Sequence, residues 1–454
     1  MKSNFLILIL VVVSSYTLAQ NATLSPYSYY GIGQPVPTRT AENNAMGGVT
    51  VYADSTQFSL DNPATLGKLR FVQYRIGANY NSTLQHSSSV TSSTATSSLN
   101  YLALSVPTKY FAFSFGLKPK SSTGYRITNT DELNGLEYQN IFEGTGGVNS
   151  TFLGLAANPI DGLSLGVSVL YNFGYNEKRF NEAIVGIQNS TQVITRSELS
   201  GVHYAFGLHF NRNIFSDYTL QFSATFTPKS SLESQNSKII SAISNGSTIV
   251  EQEQLDLDNM ATTTNKLAAE TSIGLGIGKS QHWFVGATYV TADQGITSPF
   301  ENNLDANFVA ASRISVGGFY IPKYDSFTNY LSRVVYRVGA RWEHTGMEVK
   351  SRAVKDFGIT FGIGLPMNVL SKVNIGVEIG QKGTTDAGLL KENYFADIVI
   401  FNMDEVKDNA TFEEPLQFAE GVNHVLVNGV PVLLNGKHTN KYSGRFVKGP
   451  GYLN

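Results

Sequence analysis

The side chains of this sequence that could do chemistry are mostly arginines. Arg333, Arg337 and Arg341 recur every four residues, with Glu343 just beyond them and Arg75 far upstream. Residues i and i+4 share a face of a strand. The three therefore form a ladder on one side of a strand over 333–343. Two readings stand: a structural salt network, or a site for an anionic head group. The seven histidines are His86, His203, His209, His282, His344, His424 and His438. His203 and His209 share a strand face, but six residues of strand separate them by about 20 Å, too far for one metal. No cysteine is present, which excludes disulfides, a thiol nucleophile and thiolate ligands. Gly274, Gly276 and Gly278 repeat with a period of two and no helix follows, so they read as strand glycines and not as a phosphate loop. No catalytic residue, metal ligand or cofactor is expected.

Strands must position these groups. From Val72 to Tyr80, apolar Val72, Tyr74, Ile76, Ala78 and Tyr80 alternate with Gln73, Arg75, Gly77 and Asn79. Strict period-2 alternation means one apolar and one polar face. The same pattern fills 110–117, 163–174, 202–210, 218–226, 269–278, 283–292, 313–321, 333–343, 357–365 and 372–380. Those from 269 onward are each about nine to eleven residues long, the length of a tilted membrane strand. Serine, glycine, asparagine and threonine occupy the polar faces. Composition agrees: charged residues are 15%, with 42 Gly, 23 Tyr and 27 Phe. Soluble domains carry about 25% charge. Net charge is −2, which gives no argument for nucleic acid. The expected fold is all-β: an antiparallel transmembrane β-barrel of about 12–14 strands, with outer-membrane lipid as its surroundings.

Met1 to Ala19 reads as a signal peptide, with Lys2, an apolar stretch Phe5–Val13, and Thr17-Leu18-Ala19 before a cut near Ala19. The apolar stretch is too short to span a bilayer as a helix. This implies the outer membrane of a Gram-negative cell. Residues 20–66 are Gly- and Pro-broken and read as a plug in the lumen. Residues 67–401 read as the barrel, with YFADIVIF at 394–401 as its closing strand. The polar runs 87–98 and 229–266 read as external loops. Residues 402–454 form a short β-rich appendage.

Met46-Gly47-Gly48, then Ala53-Asp54, then Asn62-Pro63-Ala64, then an alternating strand resembles the start of the FadL-type (TodX-like) outer-membrane transporters. Ser25-Pro26-Tyr27-Ser28-Tyr29-Tyr30-Gly31 is similar to the opening of the Bacteroidetes branch of that family. The resemblance covers about 20–395. It implies a hatch carrying Gly47, Gly48 and Asp54, with Asn62, Pro63 and Ala64 at its junction with the wall. It also implies uptake of long-chain fatty acids or other hydrophobic small molecules, with Arg75, Arg333, Arg337, Arg341 and Glu343 as lumen candidates. Some relatives transport nothing and serve instead as secretion or surface-attachment partners, so secreted proteins are an alternative class of partner. From Ala396, the text ADIVIFN…ATFEEP…GVNHVLVNG resembles the carboxy-terminal tail of D-aminoacylase-type amidohydrolases, over about 396–449. That family holds its metal in a catalytic domain that this sequence lacks. An N-acyl-D-amino-acid amidohydrolase is therefore the last alternative, and the expectation is no enzyme.

Overall fold

The computed structural model describes residues 23–441 except 38, 88–90, 134, 216, 245, 247, 295–299, 301–305, 368–370, 386–390, 395–397, 402–421, 428–429 and 435–436. The expected signal peptide lies outside the described residues. Among them, fourteen antiparallel wall strands form one barrel. They are β1 (Gln73–His86), β2 (Thr91–Pro107), β3 (Phe111–Leu133), β4 (Leu136–Ile160), β5 (Leu163–Ile184) and β6 (Asn189–Ile214). Then come β7 (Tyr218–Thr227 with Ser230–Ser244), β8 (Thr262–Leu267 with Glu270–Lys279), β9 (Trp283–Ala292) and β10 (Ala311–Tyr320). The last are β11 (Val335–Val349), β12 (Arg352–Pro366), β13 (Lys372–Gly383) and β14 (Lys391–Tyr394). Each pairs with its sequence neighbour, and β14 joins β1. No helix among the described residues is long and apolar enough to cross a membrane.

The alternation sorts side chains as the pleat requires. On β5, Leu165, Val169, Tyr171 and Phe173 are exposed outward, while Ser164, Leu170 and Asn172 are buried inward. Such an outward apolar band is stable only against hydrocarbon. It ends at Phe173; Glu177, Lys178 and Arg179 follow on the same strand. Eleven residues at about 3.3 Å each, tilted by about 40°, cover roughly 28 Å, one bilayer core. The rest of β5, and the matching halves of β3, β4, β6 and β7, project beyond it as a polar extension. Sequence periodicity stops at the belt, but the ladder continues: β5 stays paired with β6 up to Glu182–Thr191. The turn Asp161–Gly162 at the other end is short, as periplasmic turns are.

Four expectations are corrected. The Ser/Thr run 87–98 is not a loop: Thr91 onward is strand, because β-branched threonines and an extended backbone pair well with β1. Likewise 229–266 is largely a hairpin, Ser230–Ser244 with Thr248–Gln254 and Thr262–Leu267. Finally, the barrel does not run to 401. Ile398–Phe401 pairs with Val422–Val427 in a separate four-stranded sheet completed by Val430–Leu434 and Lys437–His438. Consecutive apolar residues give that strand no polar face, and it has found an apolar partner. The first wall strand also starts later than 67, after a 3-10 turn over Pro63–Lys68.

Residues 23–37 and 39–69 lie inside the barrel and touch it all round. Ile32 packs with Val148, Leu199, Leu232 and Leu267. Met46, Val49, Val51 and Tyr52 pack with Phe284, Phe319 and Val335. Phe58, Leu66 and Leu69 pack with Ala103, Phe152 and Leu170. Tyr27 packs with Met347, Val349 and Val354. The core of the molecule is thus the contact between plug and inner wall.

Candidate functional site

The wall has a side gap. β2 and β3 pair only from Leu102–Leu117 down to Pro107–Ala112. Beyond that, Thr91–Tyr101 pairs only with β1 and Lys118–Leu133 only with β4 on the wall. Pro119 stands at the start of the gap. It has no N–H to give a ladder, and the register to β4 shifts between Pro119 and Ser121. A piece of the plug occupies the gap. Gln34 and Pro35 pair with Ser122 and Ser121, and the Val36 N–H donates to the Lys120 carbonyl at 3.0 Å. Ser121 Oγ donates to the Ile32 carbonyl at 2.8 Å, and Ser28 Oγ donates to the Gly124 carbonyl at 3.0 Å. This strap holds the β3 edge of the gap with a few hydrogen bonds where a full strand pair would make many.

The motif residues fix the plug's path. Thr40 caps the short helix Ala41–Asn44 by accepting from the Asn43 N–H, as N-cap hydroxyls do. The Met46–Gly47 backbone then lies flat on β10 and β11: a side chain at Gly317 or Gly339 would overlap Met46 main chain, and one at Gly47 would overlap Ala340. Gly47 N–H donates to Thr360 Oγ1 at 2.8 Å. Asp54 shapes a turn, with Oδ1 accepting from the N–H groups of Thr56 and Gln57 at 2.7 and 2.8 Å. Its Oδ2 accepts from the Tyr52 hydroxyl at 2.8 Å. Asn62 caps Pro63–Lys68 by accepting from Ala64 N–H at 3.0 Å, and its amide donates to the Leu208 carbonyl of β6 at 3.2 Å. Pro63 and Ala64 rest on Gly166 and Gly207, where a Cβ would strike them. The triplet therefore sits against the inner wall, shortly before β1.

The charges follow the same interface. Arg75 reaches from β1 to Glu42 of the plug at 2.8 Å, donates to the Thr56 carbonyl at 2.5 Å and stacks 4.9 Å from the Phe58 ring centre. Burial would raise the Glu42 carboxyl, but Arg75 and Arg337 outweigh it and hold it below the usual carboxylate range. Arg39 of the plug lies 3.6 Å from Asp61, and burial is the main cause that lowers its guanidinium to about 10. Arg341 binds three carboxylates: Glu343 and Asp356 at 3.1 Å, and Glu378 at 2.8 Å. Arg313 approaches Glu343 at 3.9 Å. Buried Arg337 donates to Asn374 Oδ1 at 3.1 Å.

Arg333 does not join this ladder. It ends a 3-10 turn before β11 begins, is exposed, and stacks on Tyr330 at 5.2 Å. The turn breaks the strand period there, so i+4 spacing no longer sets its face. Sequence spacing missed Arg39, Arg313, Glu42, Asp356 and Glu378; all but Glu42 and Arg39 could have been found by inward parity on their strands.

His203 and His209 both face inward, the first beside Asn172 at 2.8 Å, the second beside the Val51 carbonyl at 3.1 Å. Among the described residues no group of three or more His, Asp or Glu side chains is placed to hold a metal ion. A cavity of about 270 Å³ at the inner mouth is lined by Tyr52, Asp54, Lys68, Arg70, Asn211 and Trp283. Another of about 280 Å³, lined by Leu24, Tyr125, Arg126, Glu143, Glu177 and Arg179, lies in the polar extension.

Comparison with known proteins agrees with this architecture. A family model described as BamG matches residues 1–405. The toluene transporter TbuX of Ralstonia pickettii superposes with a TM-score of 0.50 at 13% identity, covering 78% of this chain and 95% of that one. The TodX deltaS2S3 mutant, a monoaromatic hydrocarbon channel, superposes at 0.51 and 15% identity, covering 78% of this chain and 96% of that one. At these identities the likeness is one of fold, the FadL-type barrel. D-aminoacylase of Alcaligenes xylosoxydans xylosoxydans is 40% identical over 70 residues, 15% of this chain. The N-acyl-D-aspartate deacylase of the same organism is 40% identical over 76 residues. This chain spans only 14% and 15% of the lengths of those two enzymes.

Proposed function

The chain belongs to the BamG family, and from that premise we propose that it is an outer-membrane channel for hydrophobic small molecules, long-chain fatty acids among them. The observation that carries this reading is the side gap between β2 and β3, where the strap Gln34–Pro35 lies on Ser122 and Ser121 of the β3 edge. An apolar solute gains nothing from a water-filled pore. It gains from a path that leads sideways into lipid, and a short strap is a seal that can open without breaking the barrel. Cells carrying the protein take up labelled oleate faster than vector controls. The chain has no cysteine, so Pro35→Cys with Ser121→Cys ties the strap shut with one engineered disulfide. Uptake then stops and returns on reduction. Uptake equal to the vector control, or unaffected by the closed disulfide, sinks the reading.

A second reading has its own observation. The polar extension carries exposed ion pairs, Arg126 with Glu143 at 3.3 Å and Arg196 with Glu177 at 3.3 Å, far above what a lipid-facing wall needs. That surface suits a secretion or surface-attachment partner. Secreted proteins co-purifying with the barrel, together with no oleate uptake, favour it. The aminoacylase-like segment we read as non-catalytic; hydrolysis of N-acetyl-D-amino acids by the purified protein overturns this.

A further inference from the structure

The cavity at the inner mouth is built by the plug and the wall together. Tyr52, Lys68 and Arg70 come from the plug and its link to β1, whereas Gln221 comes from β7 and Trp283 and Phe284 from β9. Its volume is about 270 Å³. Sites for drug-sized ligands run from roughly 300 to 1,000 Å³, and an apolar cavity of about 150 Å³ holds one benzene ring. The space therefore suits one ring with one small substituent.

The walls define both parts. Tyr52 and Phe284 are 9% and 1% exposed, with ring centres 4.8 Å apart. Such faces take another ring in offset or edge contact. On the polar side the unused groups are donors. Gln221 Oε1 accepts from the Ala53 N–H at 3.0 Å and lies 3.2 Å from His209 Nε2. These contacts fix the amide, and its NH₂ group has no partner among the described residues. Lys68 and Arg70 have no ion-pair partner among them either. The acid that lines the cavity is already used: Asp54 accepts from the Tyr52 hydroxyl and from the N–H groups of Thr56 and Gln57. Lys279, by contrast, is paired with Asp217 at 2.9 Å. Two cations and an oriented amide donor, with no acid of their own, match a carboxylate, which only accepts.

We propose that this cavity binds an aromatic monocarboxylate of the size of benzoate. The carboxylate meets Lys68, Arg70 and the Gln221 amide, and the ring lies against Tyr52 and Phe284. Such a ligand touches plug and wall at once, so it ties the plug down at the inner mouth. The site needs a docked plug and nothing else, and stands or falls apart from uptake through the side gap.

The chain has two tryptophans. Trp342 is half exposed on β11, away from this cavity, so Trp342→Phe leaves Trp283 as the single reporter. Benzoate, benzyl alcohol and acetate are titrated into the purified full-length barrel, and Trp283 fluorescence is followed. Benzoate binds saturably, about tenfold or more tighter than benzyl alcohol, which has the ring without the charge. Acetate, the charge without the ring, is weaker than benzoate by about tenfold or more. In Lys68→Met with Arg70→Met the preference for benzoate over benzyl alcohol disappears, while benzyl alcohol binds as before. Heat-modifiable migration confirms the fold of that variant, and the comparisons on the Trp342→Phe barrel do not depend on it. Benzoate at ten times its Kd also slows protease cleavage of the plug by about tenfold. Benzoate no tighter than benzyl alcohol, or no tighter than acetate, overturns the proposal. So does a preference for benzoate that survives in the folded double variant.

Discussion

Phe58→Ala tests whether the plug is held as a separable unit. Phe58 is 1% exposed and packs with Leu66, Leu69, Ala103, Phe152 and Leu170, under the Arg75 guanidinium. Truncating a fully buried phenylalanine costs about 3–5 kcal/mol. None of the wall ladder runs through this side chain, so the loss falls on docking of the plug and spares the barrel. At about 1.4 kcal/mol per tenfold, the undocked fraction rises by roughly two to three and a half powers of ten. The assays are protease cleavage within residues 39–72 of detergent-solubilised protein and conductance in planar bilayers. The variant keeps its heat-modifiable migration, is cut much faster and conducts. Phe113→Ala, on the outward face of β3 and 43% exposed, changes neither. Equal cleavage and conductance in Phe58→Ala and the parent would refute the idea that this cluster anchors the plug.

Arg341→Met leaves Glu343, Asp356 and Glu378 without their shared cation. The carboxylate side chains are 11–35% exposed, so stranding them costs less than the roughly 3–5 kcal/mol of a fully buried pair; the temperature of the heat-modifiable transition still falls, whereas Arg333→Ala changes stability by less than about 0.5 kcal/mol. The plug also responds to acid. Glu42 is held below its ordinary value of 4.5, so its contribution is complete above that pH and is lost as pH falls through the lower folded value. Protease sensitivity of the plug therefore rises on acidification below about pH 4.5, and Glu42→Gln, already loosened, loses that step. Gly339→Val puts a side chain into the Met46 main chain and frees the plug without unfolding the wall, which the same cleavage assay detects.

The membrane wall was legible because lipid imposes a rule on every second residue. Leu163–Phe173 could be read strand by strand from alternation alone. The polar halves of the same strands were not legible. Above Phe173 both faces of β5 meet water or a polar lumen, so no alternation marks the strand, and only pairing with β4 and β6 defines it. The Ser/Thr stretch of β2 was missed for the same reason. In the charge cluster, parity worked wherever the strand was regular: Arg75, Arg337, Arg341 and Glu343 all face inward. It failed at Arg333, where a 3-10 turn resets the direction of the side chains. The carboxylates of the plug could not be assigned partners, because an irregular segment has no period from which to extrapolate.

The plug and the end of the barrel show where local pattern gives way to long-range fit. Gly47, Gly166, Gly207, Gly317 and Gly339 lie far apart in sequence, yet each is bare because another stretch of main chain crosses it. Nothing near any one of them indicates which segment that will be. The end of the barrel poses the inverse problem. Ile398-Val399-Ile400-Phe401 is apolar on both faces, so it satisfies a lipid-facing register and a soluble sheet equally well in its sequence. The partner it pairs with, Val422–Val427, lies more than twenty residues downstream. A strand with a polar inner face would have settled the matter locally, as it does for the strands of the wall from β1 to β13.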